Sequence, residues 1–273
     1  MKWWKSVAFS ILSLVAVILV SIATLVKTNV ISLDVASSPV FASPNTFVNS
    51  VGDTSYEDAV KSLDQLGIEL STTPSVLTGR FSYTSPEHNS VDLLKGAKML
   101  SEEFSKYSNQ TIKATGLKKI YLVKDLSVNG QPRSGMPDPT LEDALYFDIS
   151  STYITSENGA YMRRTFHHEF KHLIDYNIYG SYQGDSSKWT SCNLAGVLYG
   201  NGGSAMYNNP AFAHSIHPQA GFVNGYATSG IEEDRAEVYA ELMTTPEELQ
   251  NIANKDSQVA CKVAATRQLQ RQL

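Results

Sequence analysis

The spacing of apolar positions changes character several times along this 273-residue chain. Val7 to Val26 is a run of 20 residues without a charge. A helix of that length spans a hydrocarbon core of about 30 Å. Residues 28–55 are rich in Ser, Asn, Pro and Val with neither helical nor strand period, which reads as a tether. From Tyr56 the pattern is that of a folded body, expected to run to residue 273. "YEDAVKSLDQLGIEL" has helical spacing up to Gly67. Leu93, Leu94, Ala97, Leu100 and Phe104 recur every three or four residues and predict a helix that Ser90 caps and that runs to about Tyr107. "KKIYLVKDL" (118–126) and "ALYFDIS" (144–150) read as strands, with the turn-rich loop "VNGQPRSGMPDP" between them. Phe166, Phe170, Leu173 and Ile174 share one face of a helix predicted over 158–179 and closed by Gly180. Residues 181–229 look irregular. Another helix is expected from about Ile231. Thr245-Pro246 stops it and starts the next, with Thr245 as its cap.

Charge adds a direction to the first segment. Lys2 and Lys5 precede the apolar run and favour a cytoplasmic N-terminus, which puts the body outside the cytoplasm. Residues 1–27 are therefore expected to act as a transmembrane anchor or as a signal segment. A retained anchor leaves the protein at the cell surface, and cleavage leaves it secreted. Signal cores are shorter, roughly 7–15 residues, and small-residue sites occur at Ser21-Ile22-Ala23 and Val40-Phe41-Ala42. The net charge is −5, and the first 27 residues carry three lysines and no acid, so the body is the more acidic part. An acidic body without a basic run argues against nucleic acid as a partner. "YGNGGS" at 199–204 lacks the lysine of a phosphate loop. Cys192 and Cys261 permit one disulfide in an exported chain, and their spacing leaves the pairing open.

The chemistry concentrates in "RRTFHHEFKHLIDY", Arg163 to Tyr176. Residues four apart on a helix lie about 40° apart around its axis, so His168 and His172 project from one face, one turn apart. Two neutral imidazoles so placed can bind one zinc ion. Glu169, offset around the helix, can take a proton from an attacking water. His167 points elsewhere and reads as structural. A catalytic zinc has three protein ligands and an open position. His214, His217, Glu232, Glu233, Glu237 and Glu241 are the downstream candidates for the third. Ala236, Tyr239, Ala240 and Met243 make an apolar helix face. Glu233 lies nearest that face and Glu237 at its edge, so helical phase favours Glu233 as ligand. Glu237 is then placed to accept a hydrogen bond from a ligand histidine. Read in the register "AEVYAE", Glu237 becomes the ligand instead. There is no G-x-S-x-G, and neither cysteine sits in a nucleophile motif.

"HEFKHLID" followed by "YATSGIEEDRAE" resembles the gluzincin metallopeptidases, above all the lethal-factor-type catalytic domain and its bacterial relatives. The resemblance covers about 118–243. It implies an α+β, zincin-like fold with an active-site helix and a small mixed sheet. It also implies an edge strand, "ALYFDIS" or "KKIYLVKDL", that pairs with an extended peptide. In the family a tyrosine seven positions before the ligand glutamate donates to the oxyanion; here Tyr226 and Glu233 have that spacing. Asp175 resembles an orienting aspartate of some relatives. The function implied is that of an extracytoplasmic zinc endopeptidase acting on peptides or proteins. The alternative is a zinc-binding, non-catalytic surface protein.

Overall fold

The computed structural model describes residues 55–74, 79–138 and 140–273, all within the unit formed by residues 40–273. The expected anchor or signal segment, and the tether up to residue 54, lie outside these residues. Among the described residues no helix is long and apolar enough to cross a membrane.

The chain begins with helix α1 (Tyr56–Gln65), started by Ser55 and Asp58, which cap each other's backbone N–H groups. Gly67 takes a left-handed turn at φ 80° into strand β1 (Glu69–Ser71). Strand β2 (Phe81–Thr84) and helices α2 (Val91–Phe104) and α3 (Asn109–Thr115) follow. The Ser90 hydroxyl caps α2 by accepting from Leu93 N–H. Next come strands β3 (Lys119–Val128), β4 (Gln131–Pro132), β5 (Gly135–Asp138) and β6 (Ala144–Asp148), then helix α4 (Ser151–Ile154). The 20-residue helix α5 (Ala160–Tyr179) is closed by Gly180 at φ 71°. Beyond short helices α6 (Ser186–Thr190) and α7 (Pro210–Ala213) lie α8 (Ile231–Thr244), α9 (Pro246–Ala253) and α10 (Ser257–Gln270). The fold is α+β with a small mixed sheet.

The sheet runs β1-β3-β6-β5, with β2 and β4 paired to the far half of β3. β1, β3 and β6 are parallel, and β5 is antiparallel to β6, with Gly135 opposite Phe147 and Asp138 opposite Ala144. Side chains alternate across the sheet. Ile120, Leu122, Leu145 and Phe147 enter the main core with α1, α2 and α5, while Tyr121, Val123, Ala144 and Tyr146 form a cluster on the other face. The first face holds α5: Phe166 meets Phe147 edge-on at 4.7 Å, and Phe170 lies against Phe104 and Tyr107. Each fully buried phenylalanine here contributes about 1.5–3 kcal/mol.

The edge strand is not where the sequence placed it. "KKIYLVKDL" and "ALYFDIS" form β3 and β6, both interior to the sheet. The sheet ends in β1 on one side and in β5 on the side of α5, and β5 lies inside the segment read as a loop. All five positions of β6 are buried, so its apolar density marks a central strand. β5 carries Pro137, which an edge tolerates because the outer side needs no donor. Helix α10 was not anticipated either. Its buried face includes Lys262, which interrupts the apolar pattern. Thr245 precedes α9 as expected but makes no side-chain cap; its hydroxyl turns back to Glu241.

A second apolar cluster joins Trp189, Phe222, Val223 and Ala227 of the irregular segment to Val238 and Leu242 of α8 and to Val259 and Val263 of α10. A disulfide between Cys192 and Cys261 ties the same segment to α10.

Candidate metal centre

Helices α5 and α8 pack against each other, and each brings part of one cluster. His168 and His172 of α5 face one another, Nε2 to Nε2, at 3.0 Å. Glu233, in the first turn of α8, places Oε2 3.0 Å from His168 Nε2 and 3.3 Å from His172 Nε2. All three side chains are nearly buried. Ligands of a tetrahedral zinc at about 2.1 Å stand about 3.4 Å from one another. Two facing ring nitrogens can share only one proton, and Glu233 Oε2 is buried without a well-directed hydrogen bond. A cation among these three atoms satisfies them together, so the donor set fits zinc.

The electrostatics of the cluster follow from burial and its two glutamates. Burial alone would raise the Glu233 carboxyl; the close approach of His168 and His172 outweighs it and holds the group far below the usual range. Burial opposes the charged form of His168, yet Glu233 and Glu237 together raise its pKa well above the ordinary value. Glu237, one turn after Glu233, lies on the opposite ring nitrogen, with Oε1 2.7 Å from His168 Nδ1. That contact turns Nε2 toward Glu233 and His172. Asn224 donates in turn to Glu237 Oε2.

Glu169 sits beside this cluster. Burial raises its pKa, against the lowering effect of His168 and His172. Its stem lies directly under the edge strand: a Cβ on Gly135 would come within 2.7 Å of Glu169 Cγ and within 3.1 Å of Thr165 Cγ2. Tyr226 begins a short 3-10 turn (Tyr226–Ser229) leading into α8, and its ring lies 5.8 Å from that of His168. Burial, with the charges of Glu233 and Glu169 nearby, pushes its phenol well above the usual value, so the hydroxyl remains a donor. The strap after Tyr199 crosses this hydroxyl. A Cβ on Gly203 would fall 2.1 Å from Tyr226 Oη and 2.5 Å from Glu233 Oε1.

The remaining candidates lie elsewhere. Asp175 engages not a histidine but Arg235 of α8, at 2.8 and 2.7 Å, and Lys171. His167 is fully buried between Tyr107 Oη (2.6 Å) and Glu103 Oε2 (2.7 Å). His214 lies by Tyr161, and His217 bonds Phe222 O. Glu241 meets Thr245. Sequence reasoning passed over Gly135, Gly203 and Asn224. The glycines carry no chemistry of their own, and Asn224 is one polar residue in an irregular stretch.

One solved structure has a similar fold: a Bacteroides caccae protein proposed to be a zinc-binding metallo-peptidase, with a TM-score of 0.51 and 18% identity over 84% of this chain and 87% of that one. The chain has a metallopeptidase-like fold. No protein-family model matches it, and no curated protein matches it.

Proposed function

We propose that this protein is an extracytoplasmic zinc endopeptidase of the gluzincin type, close in plan to the lethal-factor-type catalytic domain. The observation that supports this most is the convergence of His168, His172 and Glu233 at zinc-ligand spacing beside a buried Glu169. His168, His172 and Glu233 would hold the ion, and Glu237 orients His168 rather than binding metal. Zinc at this site would polarise the scissile carbonyl and acidify water. Glu169, its pKa raised by burial, accepts the proton of the attacking water and returns it to the leaving amine. Tyr226, held protonated, donates to the oxygen on which charge develops. β5 ends the sheet and runs over Glu169, so an extended peptide adding to its free edge presents a carbonyl there. The disulfide fits a body outside the reducing cytoplasm. The 1–27 segment would anchor it to the membrane or direct its secretion.

Glu169→Gln tests the mechanism. The variant is expected to bind zinc as the parent does and to lose about 10²–10⁴-fold in kcat on peptides. Full turnover with zinc in place would refute the role of Glu169.

A further inference from the structure

Gly203 is a glycine for reasons of space. Its φ lies outside the left-handed region, so its backbone suits any residue. A Cβ there would fall 2.1 Å from Tyr226 Oη, 2.8 Å from Tyr226 Cζ and 2.5 Å from Glu233 Oε1. The strap that carries Gly203 is fastened to the turn that carries Tyr226. Gly200 N–H donates to Thr228 O at 2.9 Å, and Gly202 N–H donates to Ser229 O at 2.7 Å. Ser229 Oγ donates in turn to Tyr226 O at 2.7 Å, so Ser229 links the strap to the tyrosine. The residue before Tyr226 is seated as closely. Gly225 N–H donates to Ser215 O at 2.9 Å, and a Cβ on Gly225 would fall 1.8 Å from Phe212 O of α7. Residues 200–216 thus border Tyr226 at its backbone and at its hydroxyl. The hydroxyl itself makes no hydrogen bond to the described residues. A donor to a developing oxyanion acts only from the right place, and a misplacement of about 1 Å can cost about 10²-fold.

From this we infer that Gly203 is a positioning residue: the strap laid over Tyr226 fixes where its hydroxyl stands, and a bare Cα at 203 leaves that place open. The inference rests on the peptidase reading of the site, in which Tyr226 donates to the oxyanion. The contacts also say which neighbour yields to an added methyl group. Glu233 is held between His168 and His172 at 3.0 and 3.3 Å. Tyr226 Oη is the unbonded end of a side chain. Gly203→Ala therefore keeps the fold and the metal ligands and displaces the tyrosine hydroxyl.

The test is a double-mutant cycle on the zinc-loaded full-length protein: parent, Gly203→Ala, Tyr226→Phe and the double variant, assayed on one cleaved peptide. Tyr226→Phe should lose about 10²–10³-fold in kcat. Gly203→Ala should lose about 10²-fold in kcat with KM little changed, because the contact it disturbs is made in the transition state. In the Tyr226→Phe background the same substitution should cost less than about twofold. Zinc affinity should stay that of the parent. Ser229→Ala, which frees Tyr226 O from its hydroxyl donor, should give a smaller loss with the same dependence on Tyr226. It carries the cycle if Gly203→Ala does not fold. Equal losses in both backgrounds, no loss in Gly203→Ala, or a loss matched by weaker zinc binding overturns the inference and leaves the peptidase reading standing. Full activity of Tyr226→Phe does the same. Failure of the parent to cleave any peptide removes both.

Discussion

Glu103 is buried where α2 meets α5, and it is surrounded by donors. His167 Nε2 lies at 2.7 Å, Arg163 at 2.7 Å and Lys106 at 2.5 Å. Burial would raise its carboxyl; His167, Lys106 and Arg163 hold it down to about 2 instead, against an ordinary 4.5. A depressed folded-state pKa stabilises the protein above the unfolded value and ceases to do so as pH falls through the folded one. Screened by solvent, this is worth about 2–3 kcal/mol, fully present above pH 4.5 and lost between there and pH 2. Denaturant titrations of metal-free protein should show Glu103→Gln less stable by that amount at pH 7. The gap should close toward pH 2, and a gap independent of pH would contradict the assignment. At this scale the histidine pair and Glu169 were legible because helical period alone puts them together. Helical phase placed Glu233 nearer the apolar face than Glu237, whereas Glu237 is the more buried of the two and both meet His168. Asp175, expected as an orienting aspartate, engages Arg235, a partner 60 residues away in sequence that no local pattern signals.

Helices α5 and α8 are joined by more than apolar contact. Asp175 follows His172 by three residues and Arg235 follows Glu233 by two, and the pair makes a bidentate contact with both side chains buried. The guanidinium also lies 5.2 Å from the Trp189 ring, and Gly184 leaves it room: a Cβ there would fall 2.5 Å from Arg235 Nη2. Removing one partner of a buried pair costs about 3–5 kcal/mol. Arg235→Met is expected to lose about 3 kcal/mol, since Lys171 still faces Asp175. It should also weaken zinc binding, because the pair sets the register between the helices that carry the ligands. A double-mutant cycle with Asp175→Asn should give a coupling of at least about 1 kcal/mol; additive losses would mean that the contact does not join the helices. Long elements with unbroken period were legible, as in α2, α5, α8, β3 and β6. The edge strand was not, because four residues with a glycine and a proline look like a turn until a neighbouring strand pairs with them. In α10, buried Lys262 is matched by Asp234 at 2.6 Å, a contact invisible to periodicity.

Over the whole molecule, the irregular segment 181–229 acts as a cover fixed at several points. Trp189 Nε1 and Tyr199 Oη donate to Asp234, Gly221 N–H donates to Asp256, and Cys192 is bonded to Cys261. The segment carries Gly203 and Tyr226 to the metal cluster. Replacing both cysteines by serine should lower stability by about 2–5 kcal/mol. Thermal unfolding of the parent with and without reductant should show the same difference, and equal midpoints would contradict a structural role for the bridge. The account as a whole depends on one cluster being a metal site. The most direct test is the zinc content of folded full-length protein, purified without added metal and compared with Glu233→Gln and Glu237→Gln. About one zinc per chain is expected in the parent, with the greater loss in Glu233→Gln. A folded parent that holds no zinc even after reconstitution would contradict the account.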